Sequence, residues 1–94
     1  MLTPEYGEPA TSALDSIEPD PARKALWNAI CDAIDLICDH PGSREARVEQ
    51  VRLVEPKLSV WQVPVRCRSE DDDWVVWWHQ DGDLAVIPYI GPRL

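Results

Sequence analysis

The sequence predicts an α+β fold in which an N-terminal antiparallel helix hairpin packs on a C-terminal antiparallel β-meander. Two periodicities predict this class: apolar residues recur every three or four positions over residues 9–40, and they alternate over residues 58–90. A chain of 94 residues has room for one hydrophobic core, because two separate cores would each be too small to fold unaided. We therefore expect residues 1–94 to form a single domain.

The N-terminal half is predicted to contain two helices. Residues 1–8 are expected to be irregular, because a proline and a glycine interrupt them. Apolar spacing predicts a first helix over residues 9–17 and a second over about residues 21–39, which starts after the N-cap residue Asp20. Residues 44–57 are compatible with a short third helix or with an irregular charged lead into the sheet.

Three strands are predicted in the C-terminal half, over residues 58–68, 74–79 and 84–90, which are rich in Val, Ile and Trp. Asp81-Gly82 is a strong hairpin signal between the last two strands. An acidic loop over residues 69–73 separates the first two.

The two turns imply a register for the sheet. A two-residue turn at Asp81-Gly82 places Trp78 opposite Ala85, and a turn at residues 69–72 places Val65 opposite Val76. One face of the sheet is then uncharged and is expected to pack on the helices. Its members are Trp61, Val63, Val65, Cys67, Trp74, Val76, Trp78, Ala85, Ile87 and Tyr89.

The opposite face is predicted to be open, and it mixes basic, hydrogen-bonding and apolar side chains. Its members are Gln62, Pro64, Arg66, Arg68, Val75, Trp77, His79, Leu84, Val86, Pro88 and Ile90. Two interpretations fit this composition: a platform for phosphate binding and base stacking, or a surface that a partner protein covers, with the arginines at its rim.

The charge balance excludes some classes of partner. There are 17 acidic and 9 basic residues, so the net charge is −8. Such a field disfavours non-specific binding to nucleic acid or to an anionic membrane. The acidic residues concentrate at the N-terminus, on the outer helix face and in the hairpin turns, and none lies on the predicted open face. A local anion site on that face is therefore compatible with the net charge.

The cysteine pattern predicts reduced thiols and no metal site. The three cysteines form no CxxC motif, and Cys31 and Cys38 are too far apart on a helix for a disulfide. With two histidines in the chain, a zinc site is not expected. The sequence has neither a basic-then-apolar leader nor an apolar run long enough for a membrane span, so a cytoplasmic protein is expected.

Several ordered segments carry a resemblance to a known family. They are the helical residues 10–36 with HPG at 40–42, VWQVPVR at 60–66, DWVVWW at 73–78 before DGD at 81–83, and VIPYIGPR at 86–93. A W-x-V-x-V strand, a strand with an aromatic start, an acidic hairpin and a last strand ending near a glycine occur in this order in the RelE/ParE toxin superfamily of type II toxin–antitoxin systems. The chain resembles that family over about residues 8–93.

The resemblance implies a toxin whose open sheet face acts on its target, and a cognate antitoxin protein that neutralises it. RelE-like members cleave messenger RNA on the ribosome by attack of the ribose 2′-OH on the adjacent phosphate, which inhibits translation. ParE-like members poison DNA gyrase instead. RNA cleavage of this kind needs no metal or other cofactor. It needs cations that stabilise the phosphate oxyanion and a group that transfers protons.

The resemblance also implies candidate site residues. Arg66, Arg68 and His79 are the predicted catalytic residues, since they supply the cations and the imidazole of the open face. The predicted substrate-binding residues are Arg47, Arg52, Lys57, Trp77 and Arg93.

A second hypothesis is a catalytically inactive RelE-like module whose sheet face binds a protein partner. It is favoured by Val75, because RelE-like enzymes usually have arginine at that position, and by the acidic net charge. A gyrase-directed toxin and an acidic inhibitor that mimics nucleic acid are further alternatives. The sequence leaves the oligomeric state open, a homo-oligomer included.

Overall fold

The structure, a computed structural model, describes residues 1–54, 58–68 and 70–94. These residues form an α+β fold with two α-helices and a five-stranded mixed sheet, which confirms the predicted class. The elements in chain order are β1 (Thr3–Tyr6), α1 (Glu8–Ile17), α2 (Lys24–Asp39), β2 (Glu49–Leu53), β3 (Leu58–Val65), β4 (Trp74–Asp81) and β5 (Leu84–Pro92). The strand order in the sheet is β1-β5-β4-β3-β2.

Both predicted helices are confirmed, with small changes at their starts. α1 begins one residue earlier than expected, and the first turn of the second helix is a 3-10 turn over Pro21–Arg23. Asp20 caps that turn, since its carboxylate accepts a hydrogen bond of 3.0 Å from the backbone N–H of Ala22. α1 lies against β5, whereas α2 lies against β3 and β4.

The prediction that residues 1–8 are irregular is wrong, because Thr3–Tyr6 form the edge strand β1. This strand runs parallel to β5, so the sheet is mixed and not a purely antiparallel meander. An edge strand tolerates Pro4, which has no N–H to donate. The backbone N–H of Leu2 also donates to the carbonyl of Cys38 at 2.8 Å, which joins the start of β1 to the end of α2.

Residues 44–54, predicted as a short helix or an irregular charged lead into the sheet, contain a short 3-10 helix and also a strand that neither alternative included. Glu45–Arg47 form a 3-10 turn, and Glu49–Leu53 form β2, which pairs antiparallel with β3 at the other edge of the sheet. Residues 55–57, which include the predicted RNA-binding Lys57, lie outside the described residues.

The register between β3 and β4 differs by two residues from the predicted one. Val65 pairs with Trp74 instead of Val76, and β3 ends at Val65, three residues before the predicted end. Because side chains alternate with a period of two, a shift of two residues leaves the side chains of residues 58–65 on the faces that were predicted. The prediction that Arg66 and Arg68 lie on the open face of this strand is wrong, because both residues lie beyond its end.

The hairpin between β4 and β5 turns one residue later than predicted. Asp81 pairs with Leu84, so the turn consists of Gly82 and Asp83. Gly82 has a φ of 59°, a left-handed conformation that glycine adopts without steric cost.

A β-bulge in β5 overturns part of the predicted face assignment. His79 pairs with Val86 but Trp77 pairs with Tyr89, so β5 has one more residue than β4 between these pairs. Beyond the bulge, each residue of β5 lies on the face opposite to the one predicted for it. Tyr89 therefore lies on the face away from the helices, and Ile90 joins the helix-side core; both had been predicted on the opposite faces.

Apolar side chains are buried on both faces of the sheet. The main core lies between the sheet and the helices and contains Ile30 and Trp78. We call the other side of the sheet the outer face; Val60, Val75 and Trp77 form a smaller buried cluster there. The prediction that Trp77 is exposed is wrong, since the residue is only 9% exposed.

In the described part of the chain, neither helix has the length and apolar character needed to cross a membrane.

Candidate anion-binding cleft

Three of the predicted site residues meet at one end of the sheet. Arg66, Arg68 and Arg93 line a cleft of about 360 Å³, together with Pro64, Val65, Cys67, Asp73 and Trp74. We call this site the arginine cleft.

The ends of three strands bring these arginines together. Val65 at the end of β3 pairs with Trp74 at the start of β4, and Trp74 pairs with Pro92 at the end of β5. Arg66 directly follows Val65, and Arg93 directly follows Pro92. Residues 27 positions apart in sequence (93 − 66) therefore lie at the same edge of the sheet.

The arginine cleft is locally basic in an acidic protein. Arg66 and Arg68 are exposed, and within the described residues neither side chain has a hydrogen-bond or ion-pair partner. Asp73 is the single acidic residue among the described lining residues, and its carbonyl accepts the backbone N–H of Arg93 at 2.7 Å. Guanidinium groups bind phosphates and carboxylates through paired N–H donors, so the arrangement suits an anionic ligand.

A row of side chains on the outer face leads to Arg93. Glu49, Gln62, Trp77 and Tyr89 are successive cross-strand neighbours on β2, β3, β4 and β5. The indole N–H of Trp77 donates to Oε1 of Gln62 at 2.8 Å, and Nε2 of Gln62 donates to Oε2 of Glu49 at 3.0 Å. Nη1 of Arg93 lies 3.2 Å from the same carboxylate oxygen. The sequence placed Gln62 on the open face, but only the register shows that Glu49 is its neighbour.

Arg23 is a further residue near the cleft that sequence reasoning did not single out. Its guanidinium lies over the ring of Trp74, 5.2 Å from the ring centroid, and forms an ion pair of 3.0 Å with Glu70. The start of the second helix is thereby joined to the acidic loop between β3 and β4.

His79 lies away from the arginines. It is five residues along β4 from Trp74, which corresponds to about 17 Å of extended strand. Its cross-strand neighbour is Val86, and neither residue lines the arginine cleft. The structure therefore separates the predicted imidazole from the predicted cationic residues of the same catalytic set.

Arg47 lies on the helix side of the sheet and has a structural role. Its Nε donates to the carbonyl of Pro41 at 2.6 Å, and its guanidinium is 5.4 Å from the ring centroids of both Trp61 and Trp78. Arg52 is exposed on β2, at a shallow depression separate from the arginine cleft.

A second cleft, of about 550 Å³, lies between β1 and α2 and was not anticipated from the sequence. Tyr6, Trp27, Cys31 and Cys38 contribute to its mainly apolar lining. Burial is the main cause that raises the pKa of Tyr6, Cys31 and Cys38. The two cysteines and then Asp35 raise the pKa of Tyr6 further, and nearby carboxylates raise the pKa of both cysteines further. Both thiols are therefore protonated at neutral pH. Among the described residues, no three His, Cys, Asp or Glu side chains gather as a metal site would require.

No protein-family model, curated protein or solved structure matches this chain.

Proposed function

We propose that this chain is the toxin component of a RelE/ParE-like toxin–antitoxin pair, and that its arginine cleft binds the phosphates of messenger RNA in the cytoplasm. The convergence of Arg66, Arg68 and Arg93 on one cleft is the observation that carries the proposal. In a protein with a net charge of −8, the gathering of three arginines makes a distinct local anion site. Arg93 is paired with Glu49, whereas Arg66 and Arg68 have no ion-pair partner among the described residues.

The order of elements supports the proposal. A strand precedes two helices, and a Trp-containing strand, an aromatic-led strand and a hairpin follow them. From the helices onward, this is the order in which the RelE/ParE-like segments of the sequence occur. β2 is an additional edge strand that lies outside this pattern.

The chemistry of the cleft fits phosphate binding better than it fits a complete catalytic set. The arginines would stabilise negative charge on a phosphate when the ribose 2′-OH attacks it. His79, about 17 Å from Trp74 along the strand, is too far to exchange a proton with that phosphate. This separation favours a second candidate function, in which the cleft binds an acidic segment of a partner protein without cleaving RNA.

The decisive experiment expresses the chain in bacteria with and without its neighbouring gene, and scores growth and RNA integrity together. The proposal predicts growth arrest with fragmented messenger RNA, relieved by the neighbouring gene and by the double variant Arg66→Gln/Arg68→Gln. Lys24→Gln/Arg44→Gln is the matched control, because it removes the same two positive charges from exposed side chains outside the cleft.

Each alternative outcome has a definite meaning. Growth arrest with intact RNA would contradict RNA cleavage and would favour the gyrase-directed toxin. Normal growth would contradict the toxin. If the chain also forms a complex with the product of the neighbouring gene, and the Arg66→Gln/Arg68→Gln variant weakens that complex, the chain is a protein-binding module.

A further inference from the structure

We propose that Glu49 is a positioning residue of the arginine cleft, held in place by Trp77 and Gln62 and in turn holding Arg93 for an anionic ligand. The inference deepens the proposed function and rests on it, because it assumes that the cleft binds RNA phosphates.

The direction of the hydrogen bonds is set by Trp77. An indole N–H can only donate, so the oxygen of the Gln62 amide has to face it. The amide nitrogen of Gln62 then has to point the other way, toward Glu49. A donor on that side requires an acceptor, which the ionised carboxylate of Glu49 supplies.

Burial keeps this chain of contacts in one arrangement. Gln62 is 4% exposed and Trp77 is 9% exposed, so breaking either contact would leave a buried polar atom unpaired. The ring of Tyr89 packs on Trp77 with a centroid separation of 4.9 Å, which holds the indole on its other side. The Glu49 side chain is 51% exposed, and its hydrogen bond with Gln62 joins one of its carboxylate oxygens to the buried part of the outer face.

Glu49 then restrains an exposed arginine side chain. The carboxylate holds Nη1 of Arg93, and the backbone N–H of Arg93 is held by Asp73. A guanidinium has five N–H donors, and the ion pair uses one of them, so the others can bind a phosphate. The Arg93 side chain is 43% exposed, which leaves it accessible to a ligand in the cleft.

The carboxylate of Glu49 has two opposing effects on an anionic ligand. Its negative charge repels the ligand, whereas its contact with Arg93 lowers the entropy lost when that long side chain is ordered on binding. Neutralising Glu49 therefore strengthens RNA binding if charge alone matters and weakens it if positioning dominates. The sign of the change separates the two effects.

The experiment measures the affinity of the full chain for a short single-stranded RNA by fluorescence anisotropy. The RNA is 2′-O-methylated, so that no 2′-OH can attack a phosphate during the measurement. We expect Glu49→Gln to weaken binding about threefold to tenfold and to reduce the slope of log K against log salt by about 0.7, the value of one lost phosphate contact. Arg93→Gln should weaken binding comparably, and combining both substitutions should add little further loss.

Glu45→Gln is the matched control, since it removes the same charge from an exposed side chain of the preceding turn. Glu49→Asp, which keeps the charge but shortens the side chain, should weaken binding in the same direction as Glu49→Gln. Thermal melting establishes that the variants are folded. If wild type binds and Glu49→Gln binds as well as or better than Glu45→Gln, the positioning role is refuted while the proposed function stands. If wild-type protein does not bind RNA at all, the proposed function itself fails.

Discussion

Arg47 illustrates how the environment of one side chain decides its role. The sequence offers it as a cation for RNA, but the structure places it between Trp61 and Trp78 with its Nε on the carbonyl of Pro41. The indole N–H of Trp78 in turn donates to the carbonyl of Ala46 at 2.8 Å, so the short turn before β2 is joined to the main core.

Replacing Arg47 should therefore reduce stability. Arg47→Met keeps an unbranched side chain but removes two ring contacts and one hydrogen bond, so the free energy of unfolding should fall by about 1–2 kcal/mol. Urea unfolding measures the loss. Arg44→Met is the control and should unfold close to wild type, because Arg44 is exposed; equal midpoints for both variants would contradict the structural role of Arg47.

Trp77 was predicted to bind substrate, but the structure buries it and places its indole N–H on Gln62. Trp77→Phe keeps most of the buried ring but removes the donor to Gln62, whose oxygen is then buried without a partner. We expect a loss of about 1–3 kcal/mol in the free energy of unfolding, measured by urea denaturation. Trp27→Phe, at a half-buried indole that makes no hydrogen bond with the described residues, should cost less. A smaller loss for Trp77→Phe than for Trp27→Phe would show that the Gln62 contact does not contribute.

At the scale of elements, the bulge in β5 has the largest consequences. It places Tyr89 on the outer face beside Trp77, and the Tyr89 hydroxyl donates to the carbonyl of Pro92 at 2.6 Å. The tyrosine ring therefore passes over Gly91, one of the two residues between them. A Cβ at Gly91 would lie 2.6 Å from the Tyr89 oxygen and 2.8 Å from its Cζ.

Gly91→Ala should therefore destabilise the end of β5. Because the ring of Tyr89 packs on Trp77 and cannot move freely, we expect a cost of about 1–3 kcal/mol, measured by thermal or urea unfolding. The same substitution in a Tyr89→Leu background should cost much less, since the clashing ring is gone. Gly42→Ala is the control, because a Cβ there would have no neighbour within 4 Å. A similar cost of Gly91→Ala in both backgrounds would contradict this packing.

At the scale of the whole molecule, thiol and phenol groups in the cleft between β1 and α2 and on the outer face should make the stability of the fold sensitive to alkaline pH. Burial raises the pKa of Cys31, Cys38, Tyr6 and Tyr89. The unfolded chain loses these protons at a lower pH than the folded one does, so deprotonation favours unfolding. The contribution of these groups to stability is complete below their ordinary pKa values and is lost as pH rises through the folded ones.

We accordingly expect the melting temperature to fall as pH is raised from about 8.5, the ordinary pKa of a thiol, to about 11. Circular dichroism melting curves measure this dependence. Cys38→Ala removes one of these groups and should make the decline shallower, even if it lowers the melting temperature at neutral pH. A decline as steep in Cys38→Ala as in wild type would exclude a contribution from this thiol.

The candidate site was only partly predictable from the sequence. Arg66 and Arg68 could be named because alternation placed them on the open face of a predicted strand, and Arg93 because it follows the last predicted strand; the structure brings the three together. His79 could not be placed relative to them from alternation alone, because alternation specifies a face but not the distance along the strand. Glu49 belongs to the site only through β2, a strand that the sequence did not predict.

By itself, the sequence determined the α+β class, the two helices, the last three strands and the hairpin glycine. These features depend on apolar periodicity and turn chemistry within a few neighbouring residues, which can be read locally. Only the tertiary structure decided the pairing of β1 with β5, the bulge that exchanges Tyr89 and Ile90, the burial of Trp77 and the gathering of the arginines. Each of these depends on which distant segments pair and in what register, and no local pattern in the chain specifies that.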